Sequence, residues 1–438
     1  MSTPHGRRNM EKAYDKTRSA DKNADGKTGG ASRRVGENSD KQSTSKQLIA
    51  VVFILSLATK MFLLPIYLIQ STGRDAYIVL AVMCAFDLVA LAAWIISMRL
   101  SPDTDFFTLL SKLIGKVGAK IFVAFVALFY FFKLNVVTTE TLTFYSDNVF
   151  ADFDAAIMIF MLLIFLAAVA NHTLRALGRL NELLVPLIVV CILILGTIVV
   201  MTGVDVFNVL PAMREPDSFN AALFRHAAWS GDFTPLALFV GRTQMKKHTG
   251  KIAMTAGAVG TCVAVFFALV LCAAFGNVPR LIDSSTNITS ILQYSIGNVY
   301  GRIDLFSSIL WSVGAFMETA FFFYCTARCI AFVIGRNSAF WIALGTCVAL
   351  YCTQIFAMTD PTVFSTVVTS AAASVTVPIF TAAIPLLSLV ASIVERHRSR
   401  GKRGGHADIK PKKPSRGDGD AADADACENA ADGGGAKR

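Results

Sequence analysis

Residues 47–70 read QLIAVVFILSLATKMFLLPIYLIQ, an apolar run interrupted midway by Thr59-Lys60 and again by Pro65. A helix needs about 20 apolar residues to cross the hydrocarbon core of a bilayer, and this stretch is long enough. A lysine at mid-depth and a proline just after it are both unfavourable inside such a helix. Residues 218–242 show the same conflict, because Trp229-Ser-Gly-Asp-Phe-Thr-Pro235 puts a charge and a proline into the middle of another apolar run. Backbone leaves the helix at membrane depth only where it is buried in protein or lines a cavity. Matching breaks in the two halves of a chain mark a transporter-type binding site.

Outward from these two stretches, ten apolar runs suit membrane helices: 47–70, 75–98, 118–144, 154–171, 178–202, 218–242, 250–275, 303–328, 338–357 and 362–393. The sixth is the least apolar, since it holds Arg225, His226 and Asp232. Lys and Arg collect at alternate ends of the runs, which sets orientation by the positive-inside rule. Arg99, Lys112, Lys116, Lys120, Arg175, Arg179, Arg242, Lys246, Lys247, Lys251 and Arg336 fall on the side of the two tails. Loops 145–153, 203–217, 276–302 and 358–361 carry few. Both termini are therefore expected in the cytoplasm. Runs one and six open the two five-helix halves from opposite sides, so an all-α membrane protein with a five-plus-five inverted repeat and broken helices 1 and 6 is expected. Ile288, Ile291, Leu292 and Ile296 predict a short surface helix in the longest outer loop.

Composition agrees. The chain is 54% hydrophobic and 16% charged over 438 residues, against about 25% charged in a soluble domain. Residues 1–46 carry 11 Lys/Arg and 6 Asp/Glu, and residues 395–438 carry 11 and 8, so much of the net +10 lies in polar tails. These tails lack the apolar surface to offset chain entropy and read as disordered cytoplasmic flanks around a domain at 47–394. Their basic charge suits lipid headgroups, and the absence of interleaved aromatics from Arg396 to Arg416 speaks against nucleic acid. The first apolar run follows a long polar tail, which reads as a retained anchor and not a cleaved signal. Eight of nine cysteines lie inside apolar runs and read as buried thiols. No phosphate-binding glycine loop or metal-spaced His/Cys set is present, so neither an enzyme nor a cofactor is expected.

Thr59-Lys-Met-Phe-Leu-Leu-Pro65 followed by Gly73-Arg-Asp-Ala-Tyr77 resembles the first-helix pattern of bacterial spore-germination permeases. These are the B subunits of nutrient germinant receptors, within the amino acid–polyamine–organocation superfamily. Gly178-Arg-Leu-Asn-Glu182 with Pro186, Asn208-Val-Leu-Pro211, and Arg302-Ile-Asp304 with Trp311 are similar to later motifs of that family, in order, over about 47–394. Lys60 departs from the pattern, because small residues or glycine commonly occupy that break. The resemblance implies a receptor subunit in the inner membrane of the spore. Its ligand would be a small nutrient, an amino acid foremost, and its partners the other receptor subunits. A secondary amino-acid permease coupled to protons or sodium is the alternative.

A charged group inside a membrane needs a partner, a cavity or a task. Thr59 and Lys60 are expected to bind substrate, and the Lys60 ammonium suits a substrate carboxylate, the place of a coupling cation, or a structural ion pair. Asp232, beside Gly231 and Trp229, suits a ligand amino group or pairing with Lys60, and the resemblance places Trp229, Gly231 and Asp232 at the substrate site. Lys133 and Glu140 share a face of the third helix. Asp87 is expected to pair with Lys133, and Glu140 to line a water or ion path. Glu318 has no readable direction and is grouped with Glu140 and Glu182 as ion-path or gating residues. Arg179, Glu182 and Arg328 are expected to form a gate or ion-pair cluster near the cytoplasmic boundary.

Overall fold

The computed structural model describes residues 43–61, 63–148, 154–170, 172–201, 206–210, 216–275, 304–335, 339–358 and 360–404. The tails before 43 and after 404, and the expected surface helix at 288–296, lie outside these residues. The described residues fall into two units that divide between Arg396 and His397.

Among the described residues the chain is almost entirely helical, with twelve α-helices. They are α1 Ser45–Leu57, α2 Leu63–Thr72, α3 Ala76–Leu100, α4 Phe106–Asn148, α5 Ala155–Ala170, α6 Leu174–Met201, α7 Pro216–Arg225, α8 Thr249–Phe275, α9 Asp304–Ile334, α10 Ala339–Thr353, α11 Pro361–Val368 and α12 Ala371–Gly404. Seven helical stretches among the described residues are long and apolar enough to cross a bilayer, while Ser45–Leu57 and Ala155–Ala170 are shorter.

The first span is broken where the sequence conflict lies. α1 starts at a Thr44 capping box with Gln47, ends at Leu57, and yields to a 3-10 turn, Thr59–Met61, before α2 resumes. The sixth segment departs further from a helix. After α7 the chain makes two 3-10 turns, Ala227–Trp229 and Thr234–Phe239, around Gly231 at φ +95°. Pro235 sits at the start of the second turn, where its missing N–H costs nothing.

Other spans depart from the sequence reading. Run three begins at Phe106 and not near 118, because a short helix precedes Gly115, whose φ of +79° bends the chain into the membrane-crossing part. That short helix is tied down by Lys112, whose Nζ lies 2.6 Å from Glu395 Oε1. Run ten is two helices. α11 stops at Thr369, and the Ser370 hydroxyl accepts the Ala373 N–H at 3.2 Å to start α12. The Asp360 carboxylate caps α11 through the Thr362 N–H (2.8 Å) and hydroxyl (2.7 Å), which holds this exposed group below the usual carboxylate range. α12 carries Pro378 and Pro385 inside it and runs past the sequence boundary at 394 to Gly404.

The core wraps the two broken segments. α1 packs against α6 and α8, α3 against α8, and α9 along α4. α8 approaches closely because it is small where they meet. A Cβ on Gly257 would lie 2.6 Å from Leu91 Cδ2, and one on Gly260 1.8 Å from Ser56 Oγ. Such small-residue contacts are how membrane helices gain packing when lipid is as apolar as leucine. The start of α1 is also tied to the exit of the sixth segment. Ser43 N–H donates to Arg242 O (2.8 Å), Gln244 N–H to Ser43 O (3.0 Å) and Ser45 Oγ to Gln244 O (2.6 Å).

Candidate functional site

The two breaks meet at a buried ion network. Lys60 leaves its 3-10 turn with its side chain 1% exposed, and Nζ reaches Asp87 Oδ2 on α3 at 2.5 Å and Asp232 Oδ2 at 3.1 Å. Asp232, fully buried, is also contacted by Lys133 Nζ of α4 at 3.1 Å through Oδ1. Lys133 Nζ donates in addition to Ala228 O at 3.4 Å. Asp87 Oδ1 accepts the Gly231 N–H at 3.0 Å. The chain thus runs Asp87, Lys60, Asp232, Lys133, alternating in sign and joining both breaks to α3 and α4.

The network corrects one pairing. Asp87 holds Lys60, and the partner of Lys133 is Asp232. The expected contact between Lys60 and Asp232 is present. The reason for the difference is local. A residue's direction on a regular helix follows from its number, but Lys60 sits in a 3-10 turn whose axis differs, and its side chain swings towards α3.

The unwound segment is built to hold Asp232 in place. Gly231 adopts a conformation that side chains avoid, and a Cβ there would lie 2.4 Å from Thr381 Oγ1 of α12. Gly231 O accepts both the N–H (3.0 Å) and the hydroxyl (2.7 Å) of Thr234. Thr234 O in turn accepts the Tyr130 hydroxyl at 2.8 Å. Phe233 lies under the Lys60 ammonium and Phe322 under that of Lys133, each with Nζ 5.6 Å from the ring centre. A ring face adds attraction to a cation that has lost water.

Trp229 closes one flank. Its indole N–H donates to the Glu140 carboxylate, and its ring lies against Tyr67 (5.4 Å) and His226 (5.5 Å). Glu140 is 2% exposed. Glu318 on α9 is fully buried, and among the described residues neither of its carboxyl oxygens has a hydrogen-bond partner. Its helix packs along α4 and against a 3-10 turn of each break. One turn earlier, Gly314 lets α9 approach the first break, since a Cβ there would be 3.2 Å from Ala58 Cα.

Of the residues singled out in the sequence, Lys60, Trp229, Gly231, Asp232, Glu140 and Glu318 belong to this site. Thr59 opens the 3-10 turn, and its side chain is outside the described residues. Glu182 and Arg179 are exposed on α6. Arg328 stacks on Tyr324 (4.9 Å) and donates to its hydroxyl at 2.7 Å. Among the described residues these three form no salt bridge with one another, so the expected ion-pair cluster is absent. Buried Thr381 was missed by the sequence reading. Nothing in a run of small and apolar residues marks one threonine of α12 as facing Gly231.

The two broken helices thus meet at a cluster of alternating charges that is closed to solvent. The chain resembles in structure the nucleobase-cation-symport-1 family transporter Mhp1, solved in a closed conformation with bromovinylhydantoin bound. It is 10% identical to that protein, with 84% of this chain and 94% of that one covered and a TM-score of 0.53, so the two share a fold. It is also similar to a manganese transporter from Eremococcus coleocola, at 10% identity, with 84% of this chain and 88% of that one covered and a TM-score of 0.49. No curated protein matches the sequence. A family described as spore germination protein matches residues 43–361. The chain is therefore a multi-pass membrane protein of the spore germination protein family, with the fold of a transporter.

Proposed function

We propose that this protein is the membrane subunit of a nutrient germinant receptor, and that the nutrient, an amino acid foremost, binds where the two broken helices meet. The observation that carries the reading is the closed ion network of Lys60, Asp87, Asp232 and Lys133 in a chain of the spore germination family. Both breaks contribute to it, so a ligand that separates Lys60 from Asp232 would move the two halves relative to each other. A ligand shifts such an equilibrium only by its differential affinity for the two states, and a desolvated ion chain gives the closed state a definite energy to work against. Other receptor subunits would read the movement, in the inner membrane of the spore, with both tails of this chain cytoplasmic.

The second reading, an amino-acid permease, draws on the transporter fold itself. One experiment separates them. Spores lacking this chain are tested for nutrient-triggered germination, and vesicles holding the chain alone are tested for uptake of labelled amino acids. Loss of germination without concentrative uptake is expected. Concentrative uptake together with normal germination of the deletion strain would replace the receptor with the permease.

A further inference from the structure

Among the described residues the cluster at the breaks holds more carboxyl groups than ammonium groups, and they are not equally engaged. Lys60 and Lys133 are the two cations. Asp87 receives Lys60 and the Gly231 N–H, Asp232 receives both lysines, and Glu140 receives the Trp229 indole. Among the described residues Glu318 receives nothing, at zero exposure, although a buried polar group without a partner is unfavourable in a fold. Four carboxyl groups against two lysines leave room for added positive charge. They leave little for added negative charge, because a carboxylate entering the cluster must take Lys60 or Lys133 from an aspartate.

We propose that Glu318 receives the ammonium group of the ligand, so that the amine is the indispensable part of the ligand and its carboxylate is not. The inference rests on the ligand site being at the helix breaks, and it names the chemistry that site selects. An ammonium group brought between α4 and α9 donates to the two unpartnered oxygens of Glu318. Entry of the amine then competes with Lys60 and Lys133 for their aspartates through like-charge repulsion, which loosens the closed network.

The test uses the full chain in lipid nanodiscs and reads thermal unfolding against rising concentrations of L-alaninamide, L-leucinamide and L-phenylalaninamide. The probes for comparison are their neutral N-acetyl amides, and sodium and potassium chloride. At least one free amine should raise the unfolding temperature, and its N-acetyl form should not. Glu318→Gln should weaken that amine by about 10- to 100-fold, as expected for loss of a charge-assisted hydrogen bond. Asp103→Asn, an exposed loop site, should leave it unchanged. Should Glu318→Gln fail to fold, Glu318→Asp keeps the charge and should still weaken binding by about tenfold, because its carboxylate is withdrawn. Equal stabilisation by N-acetyl amides, undiminished amine binding in the folded variants, or no response to any amine would each overturn the proposal. A salt response lost in Glu318→Gln without any amine response would assign the site to a metal cation instead. Binding is read on the lone chain, so failure of the receptor reading appears separately, as normal germination of spores lacking an amine-binding protein.

Discussion

At the scale of single residues, the site turns on which charge has which neighbour. Removing one partner of a buried ion pair leaves the other uncompensated, at a cost of roughly 3–5 kcal/mol. Lys60 serves two aspartates, so Lys60→Met should destabilise more than Lys133→Met, which leaves Asp232 its contact with Lys60. Asp232→Asn should also destabilise, and the Lys60→Met/Asp232→Asn double variant should recover part of the sum. Thermal unfolding of the four variants in one detergent checks this, and strictly additive losses would mean that the two groups do not interact. The sequence revealed this chemistry in part. A lysine and an aspartate at the two helix breaks pointed to each other, because opposite charges at the same depth in lipid have few other partners. Asp87 was placed in the membrane but given to Lys133, since depth is legible from residue number and azimuth around a 3-10 turn is not. Glu318 had no readable direction because the helix carrying it is buried on most sides, so no polar face orients it.

The elements that carry the site are held by close backbone contacts at glycines. Gly241, at φ +69°, ends the sixth segment where a Cβ would lie 2.3 Å from the Thr104 backbone. Gly345 on α10 has nothing within 4 Å of the same position. Gly241→Ala should therefore cost more than the roughly 1–2 kcal/mol of left-handed backbone alone. Gly345→Ala should be neutral or slightly stabilising. Similar unfolding temperatures for the two variants would contradict the packing described. A second fastening holds α4 to the π-turn after α10: Gln354 Nε2 donates to Asn135 O and Oδ1, both at 3.1 Å, and Thr353 Oγ1 to Asn135 Oδ1 at 2.6 Å. Lys133 and Glu140 flank Asn135 on α4, so this fastening sets where they stand. The helix breaks themselves were legible, because charge and proline coincide in both. The divisions at Gly115 and Thr369 were not. Apolar content continues on both sides of each, and what ends the helix is a positive φ in one case and side-chain capping by Ser370 in the other.

Over the whole molecule, the loop charge pattern predicts that residues 145–153, 203–217 and 276–302 face outward and that 103–117 and 243–249 face the cytoplasm. In a cysteine-free background, single cysteines in the first group should react with an impermeant reagent applied to sealed cells, and those in the second should not. Reversed labelling would invert the orientation. Within that frame the proposed receptor role requires that the nutrient act at the junction of the two broken segments. Gly231 isolates it, because its backbone conformation and the 2.4 Å approach of Thr381 leave no room for a side chain, while the glycine itself bears no charge whose loss would confuse the result. The most direct measurement is the nutrient dose response of germination in spores carrying Gly231→Leu, with the amount of the protein in the inner membrane measured in parallel. The expected result is no germination at any nutrient concentration in spores whose inner membrane still holds the protein, with germination by a trigger that bypasses nutrient sensing preserved. A wild-type dose response at a normal protein level would place the nutrient elsewhere.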